Sequence, residues 1–306
     1  ELPTEVLSDV ASVVGAEVTV LGRLPGGVNG GAWRVQLAGR PSAVLKAAPR
    51  AHRNHLDETL RAQRVVEHMR GMGYPTPAWL GVGATATRVW HLMDFVDAAP
   101  APDLTAAVVE QLMEIVELQA GQASEPYDHW SYAWRVATGL ESAVAGLDLS
   151  ETPEQSLLRQ SVARLSGHSS VVSALVERLR LACADVPPPP EAPDMVHADL
   201  ATPGNVLIRD GEVVAVVDLG NAGSGTRATD LITLVWYTFQ DPLLDDVRRR
   251  LWTRVLDPVG WEGAAVLAAA HILHMLEIPI RQGRRDVVPG VVKRGHHALD
   301  ELNALR

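Results

Sequence analysis

One cysteine, Cys183, stands among the 306 residues, so no disulfide can form within the chain. It lies in the apolar helical pattern LRLACADV, which reads as a buried, inert thiol and fits a reducing cytoplasm. Lysine is almost as scarce: Lys46 and Lys293 stand against 25 arginines. The opening ELPTEVLSDV has no basic stretch ahead of an apolar one, so no cleavable signal is expected. The most apolar run, 263–280, is interrupted by His271, His274 and Glu277. An intramembrane glutamate is costly, so this run is expected to be a buried helix, and no membrane partner is expected. Excess positive charge is lacking too, since the net charge is −10. That argues against nucleic acid, which demands a basic footprint.

The charge is unevenly spread. Residues 1–96 carry 10 Lys and Arg against 8 Asp and Glu, net +2, and residues 97–306 carry 17 against 29, net −12. This asymmetry suits a polyanion bound by the first part and a polycation by the second. Strand patterns occur at 18–24, 33–37 and 42–48, with a glycine-rich turn after the first. A helix is expected from about His52 to Arg70, ended by Gly71 and Gly73, with strands near 78–83 and 88–96. After Asp97 the segment AAPAPD reads as a linker. Helices are then expected at 104–122, 129–145, 154–166 and 169–184. Beyond the extended PPPP at 187–190, strands fall near 195–196, 205–208 and 213–217, the last two joined by Arg209-Asp210-Gly211. Helices resume near 228–240, 243–256, 262–277 and 290–304.

Chemistry concentrates in MVHADLATPGNVLIRDGEVVAVVDLGNAGSGTRATDL, residues 195–231. His197, Asp199, Asn205 and Asp218 stand there among short apolar strands. Phosphoryl transfer needs a carboxylate to accept a hydroxyl proton, and oxygen ligands to hold Mg²⁺ against phosphates. An Asp–Asn loop beside a strand-terminal Asp offers both. Any one of these residues alone would read as a turn former.

The segment resembles the catalytic core of the aminoglycoside phosphotransferase and choline kinase group, with its H-G-D-x-x-x-x-N pattern followed by a magnesium aspartate. The resemblance implies an α+β, two-lobed protein-kinase-like fold. Residues 1–96 would be a small β-rich nucleotide-binding lobe, and 97–306 a larger, mainly helical catalytic and substrate-binding lobe. It implies Asp199 as catalytic aspartate, Asn205 and Asp218 as Mg²⁺ ligands, His197 as a brace and Asp230 as an anchor. Two departures are present: Ala198 replaces the usual glycine, and Asp199 and Asn205 are six residues apart where the family has five. The thirteen from Asn205 to Asp218 is usual, so the additional residue lies within LATPG.

The first part is then expected to bind ATP. A lysine on an apolar strand, Lys46 in SAVLKAA, suits the holding of phosphates, although an edge lysine facing water has the same pattern. Its carboxylate partner is expected on the following helix as Glu58, with Glu67 the alternative. Backbone N–H groups around Asn29 and Gly30 would cover the phosphates. HLMDFVD falls where the family connects its lobes, so main-chain groups from Asp94 to Val96 are expected to bond adenine. Only twelve residues separate Asp218 from Asp230, with no room for a protein-kinase activation segment.

His271 and His274 could share a metal face, but without further ligands they read as core or substrate-wall histidines. YDHWSYAW at 127–134 reads as core, or as a rim over a substrate pocket. Asp241, Asp245, Asp246, Glu262 and Glu277 fall in helices that surround the substrate in this family. With the −12 balance they point to a cationic acceptor. That acceptor would be an aminoglycoside or a cyclic peptide of the capreomycin and viomycin type, the aromatic-rich 125–145 favouring the peptide. A kinase of choline, a sugar or an amino alcohol, and an inactive nucleotide-binding regulator, are the alternatives.

Overall fold

The computed structural model describes residues 2–24, 31–124, 126–139, 152, 155, 161–162, 164–202 and 204–306. The expected glycine turn at 26–31 and the helix at 154–166 lie largely outside them, as does the end of the helix at 129–145. The chain is α+β, with a β-rich N-terminal region and a helical C-terminal region, as expected. It divides into two compact units. One comprises 1–103 with 202–220, the other 104–201 with 221–306. The composition change at Asp97 falls close to the first division, but the hairpin at 202–220 groups with the N-terminal residues.

In the first unit, β1 (Val18–Leu24), β2 (Ala32–Leu37), β3 (Ser42–Pro49), β4 (Trp79–Ala84) and β5 (Arg88–Asp94) form an antiparallel sheet. Its order is β1-β2-β3-β5-β4. Alternation along β3 and β5 sends Ala43, Leu45, Ala47, Trp90 and Leu92 to one face. There they meet Val6, Val10 and Val14 of α1 (Thr4–Val14). The sequence reading assigned no element before Val18, although these valines recur at a helical spacing of four. Trp90 Nε1 donates to Asp9 Oδ2 at 2.7 Å, so its one polar atom is satisfied inside that core.

The other helix, α2 (His55–Gly71), buries Ala62, Val65, Val66 and Met69 and adjoins β4 and β5. The unit also holds a small antiparallel sheet of β6 (Ala99–Pro100), β8 (Val206–Arg209) and β9 (Glu212–Val216). Asp210 and Gly211, with φ of 53° and 83°, turn the β8–β9 hairpin in the left-handed conformation that fits strand twist. Val216 N–H donates to Pro75 O at 2.6 Å, tying the hairpin to the chain that follows α2.

The second unit is helical: α3 (Ala106–Glu117), α4 (His129–Thr138), α5 (Ser170–Cys183), α6 (Ala228–Thr238), α7 (Asp245–Arg281) and α8 (Val288–Ala304). One short sheet pairs β7 (Asp194–Val196) with β10 (Gly223–Gly225), the latter unforeseen from sequence. The two helices expected at 243–256 and 262–277 run on as α7, broken at Gly260 with φ of 65°. By length and composition α7 could cross a membrane, yet 72% of its most apolar window is buried, which makes it a core helix. Cys183 is buried, and burial pushes its thiol up to about 12, matching the inert reading.

Glycine at 83 is required by a close approach. A Cβ there would stand 2.4 Å from the Trp90 ring. We expect Gly83→Ala to destabilise the protein by about 1–3 kcal/mol through overpacking, read as a lower urea midpoint at unchanged slope.

Candidate active site

Two of the expected residues of the first unit, a nucleotide-binding lysine and a metal aspartate, form an ion pair. Lys46 Nζ lies 3.0 Å from Asp218 Oδ1. Lys46 is fixed by register, opposite Ala32 on β2 and His91 on β5. Asp218 follows β9 with φ of 73°, a left-handed conformation uncommon for a non-glycine residue. Its carboxylate is half-exposed while the lysine is largely covered. Asn205 is buried at 7% exposure; its carbonyl accepts from Val217 N at 2.9 Å, and its own N–H donates to Thr202 O at 3.0 Å. The first of these bonds pins Asn205 against the residue preceding Asp218.

Lys46 is not paired with Glu58. Glu58 instead lies 3.3 Å from His52 Nε2, and burial raises its carboxyl above the usual range, partly offset by His52 and Arg61. Helix α2 is tied to the site differently, through Arg61 Nη2, which donates to Gly220 O at 2.8 Å. His91, overlooked in the sequence, stacks on Trp79 at 4.1 Å and 4°. Its alternation with Leu92 on β5, opposite the one lysine of the sheet, was the available signal. Burial, with the Lys46 charge, holds His91 down at about 3, so it stays neutral beside the lysine.

Asp94 ends β5, exposed, and its N–H donates to Ala78 O at 2.9 Å, while Val96 O accepts from Ala98 N at 2.9 Å. These two groups are thus engaged within the protein. Asn29 and Gly30 lie outside the described residues.

The remaining motif residues belong to the second unit. Asp230, in the first turn of α6, is fully buried, and its carboxylate accepts His197 N–H at 2.7 Å and Ala198 N–H at 2.9 Å. Burial raises its carboxyl pKa, against the His197 charge and these N–H bonds. Between them Ala198 turns with φ of 72°, the conformation a glycine adopts freely. His197 is buried, and its Nδ1 accepts from Asp199 N–H at 3.3 Å, which places the proton of a neutral ring on Nε2. Asp199 therefore follows two residues held by a carboxylate and is itself tied to the histidine.

A second buried carboxylate, missed in the sequence, steadies the strand leading in. Asp194 accepts from Gly121 N at 3.0 Å, Arg227 N at 3.0 Å and Arg227 Nη1 at 3.1 Å.

Four of the acids expected to capture substrate are engaged within the protein, while Glu262 is exposed. Asp241 caps the turn before α7 by accepting Leu243 N–H at 2.9 Å. Asp245 bonds Arg248 at 2.7 Å, and Asp246 pairs with Arg249, both in the first turn of α7 where the helix dipole favours acids. Glu277 is buried, accepting from Ser161 Oγ at 2.7 Å and Arg281 Nε at 2.9 Å. Of the aromatic run, His129 bridges Asn221 O through Nε2 at 2.9 Å and Gln155 Nε2 through Nδ1 at 2.7 Å, a core role. His271 and His274 stack at 6.4 Å, and among the described residues no cluster of three metal-ligating side chains exists.

Comparison with known proteins places this geometry. The phosphotransferase enzyme family, APH, matches residues 20–267. No curated protein matches the sequence. Similar solved structures include a thermostable mutant of aminoglycoside phosphotransferase APH(4)-Ia in ternary complex with ADP and hygromycin B. It has TM-score 0.64 and 16% identity, covering 97% of this chain and 98% of that one. A putative fructosamine-3-kinase from Thermobifida fusca YX-ER1 has TM-score 0.59 and 21% identity over 98% and 100%. The macrolide 2′-phosphotransferase MphH from Brachybacterium faecium has TM-score 0.50 and 16% identity over 95% and 96%. At these identities the likeness is one of fold.

Two outcomes are expected. Asp230→Asn keeps the shape but replaces one carboxylate oxygen by a donor facing an N–H, so it should cost about 1–3 kcal/mol in chemical denaturation. His271 and His274 are held down to about 3 and 4, chiefly by burial, against an unfolded value of about 6.5. Their folded values are depressed, so the stability associated with them is complete above pH 6.5. It is lost as pH falls toward 4, by about 1.4 kcal/mol per pH unit for each histidine. Unfolding midpoints at pH 7.5 and 5.5 measure this, and His271→Gln should flatten the slope.

Proposed function

The chain belongs to the phosphotransferase enzyme family, and from that premise we propose that it transfers the terminal phosphoryl group of ATP, with Mg²⁺, to a hydroxyl of a small molecule. The observation that carries this reading is the Lys46–Asp218 pair at 3.0 Å with Asn205 bonded to the residue beside Asp218. One unit thereby presents a lysine for phosphate oxygens beside a carboxylate and an amide, the hard oxygen donors that suit magnesium. When bound, Mg²⁺ supplies charge neutralisation for the phosphates.

The chain's own groups then have separate tasks. Lys46 exchanges its bond to Asp218 for phosphate oxygens, which frees the carboxylate to act with Asn205 as a metal ligand. Asp199 orients the acceptor hydroxyl and takes its proton as the oxygen attacks the phosphorus and ADP departs. His197 and Asp230 hold the Asp199 backbone, so that its carboxylate is placed before the acceptor arrives. His91, neutral beside Lys46, adds no repulsion to the lysine. Use of ATP and the reduced, buried Cys183 suit a cytoplasmic location.

The acceptor we propose is a cationic antibiotic, either an aminoglycoside or a cyclic peptide of the capreomycin and viomycin type, so that phosphorylation confers resistance. The acid excess of residues 97–306 supports it, as does the hygromycin B complex of the APH(4)-Ia structure. A second reading, phosphorylation of a metabolite such as an amino sugar, is favoured by the engagement of Asp245, Asp246 and Glu277 with arginines. The putative fructosamine-3-kinase among the similar structures points the same way. A nucleotide-binding regulator without activity would use Lys46, Asn205 and Asp218 but would have no use for Asp199 as a proton acceptor beside them.

ATP consumption over a panel of aminoglycosides, capreomycin, viomycin, choline and glycated lysine tests these readings. Turnover confined to the antibiotics supports the first, turnover confined to the metabolites the second, and nucleotide binding without turnover the regulator. In the wild-type background that responds, Asp199→Ala should lower kcat by roughly 10²–10⁴-fold with nucleotide affinity retained. Near-normal turnover would remove Asp199 from the chemistry.

A further inference from the structure

Three nitrogen-bearing side chains in the second unit have no counterpart in the proposed chemistry. On α8, the Arg294 guanidinium lies over the Trp236 ring of α6, 4.8 Å from its centroid. Trp236 in turn meets His271 of α7 edge-on at 5.7 Å and 72°, and His271 stacks with His274 at 6.4 Å and 4°. Three helices thus bring Arg294 and His271 against one buried tryptophan, with His274 stacked beside His271. Among the described residues no carboxylate pairs with Arg294. His271 Nε2 is buried with no hydrogen-bond partner.

That is an exception in this molecule. Arg227 is supported by Asp194 and Glu117, and Arg248 by Glu301 and Asp245, so their charges are stabilised. Arg294 is only half-exposed, and burial pulls its pKa below the ordinary value, eased only by Tyr237. A buried polar group without a partner is costly, and a desolvated charge more so. The carboxylate nearest this cluster along α7, Glu277, is committed to Arg281 and Ser161. Arg281 is bonded to Glu277, Tyr237 adjoins Arg294, and both histidines are uncharged at neutral pH. A metal cation is a poor occupant, since it would be repelled by the Arg294 charge that already disfavours a proton on His271.

We propose that Arg294, His271 and His274 form a binding site for an oxyanion, the carboxylate or phosphoryl group of a small molecule. Stacking on Trp236 fixes the plane of the guanidinium, whose two parallel N–H groups match the paired oxygens of either anion. Neutral imidazoles add donor nitrogens without competing charge. The site lies wholly within the helical unit and does not depend on phosphoryl transfer, so its test needs neither ATP nor an acceptor.

The test follows the histidine Cε1–H signals of the full chain by NMR at pH 7.5, with His271→Gln and His274→Gln assigning the two peaks. Inorganic phosphate and acetate are titrated separately, with sodium chloride at matched ionic strength as the control. Saturable shifts of these two peaks with phosphate alone identify a phosphoryl site, and with acetate a carboxylate site. Arg294→Gln should weaken that binding by at least about tenfold. Should Arg294→Gln fail to fold, Arg294→Lys, which keeps the charge but not the planar fork, should show the same direction of change. Shifts no larger than those of chloride, or equal affinity in a folded Arg294 variant, would overturn the assignment.

Discussion

The bond network around the Asp230 carboxylate is what the candidate catalytic segment depends on. A fully buried carboxylate is expensive unless its oxygens are satisfied, and here each accepts a backbone N–H of successive residues, His197 and Ala198. That arrangement forces the peptide at Ala198 into the left-handed conformation. It also leaves Asp199 N–H to the His197 ring, so side chain and main chain fix the same loop from both sides. A glycine would enter this turn without strain, and alanine costs of order 1–2 kcal/mol there. The Asp230 bonds are strong enough to hold it, since charge-assisted hydrogen bonds contribute about 1.5–3 kcal/mol each.

The motif itself was legible in the sequence, and the family resemblance supplied the expected roles of His197 as brace and Asp230 as anchor. The carboxylate-to-amide bonds of Asp230 join a strand, a turn and a helix start. The α+β class was legible as well, since alternation at 42–48 and 88–94 has the period of a strand and 55–71 that of a helix. What the spacing left open was the choice among equivalent carboxylates. Glu58, with Glu67 the alternative, was expected for Lys46, and it is the tertiary path of β9 that brings Asp218 there instead. Likewise His91 was one polar residue in an apolar run. Its importance comes from the cross-strand register that puts it opposite Lys46. Helix α1 was overlooked for a different reason. It carries a valine stripe that covers one face of the sheet, which the sequence shows only as a short amphipathic run.

Net charge is a blunt guide to the helical unit, because several of its acids are matched by arginines. In the helical unit the acids of α3 face the arginines of α7 at matched helical spacing. Glu110 pairs with Arg250, and Glu114 and Glu117 with Arg254 at 3.0 and 3.1 Å. Glu117 extends to Arg227, and thence to Asp194 under the loop segment. Exposed pairs of this kind contribute little individually. Their consequence is that the local field is far smaller than a count of acids implies, because each acid on these faces has a cation within bonding distance. The planar guanidinium suits such bridging, which accounts for arginine's dominance over lysine across this helical unit.

That pairing changes how substrate charge is to be read from the chain. Acids committed to α7's first turn or to Arg281 cannot attract a polycation without first losing an arginine, so the capture of a cationic acceptor must rely on carboxylates outside this ladder. The same accounting isolates Arg294, a partly buried guanidinium with no carboxylate partner among the described residues, where Arg227 and Arg248 are each matched by two acids. In a chain so rich in acid, a covered arginine with no carboxylate partner among the described residues is the stronger statement about ligand charge.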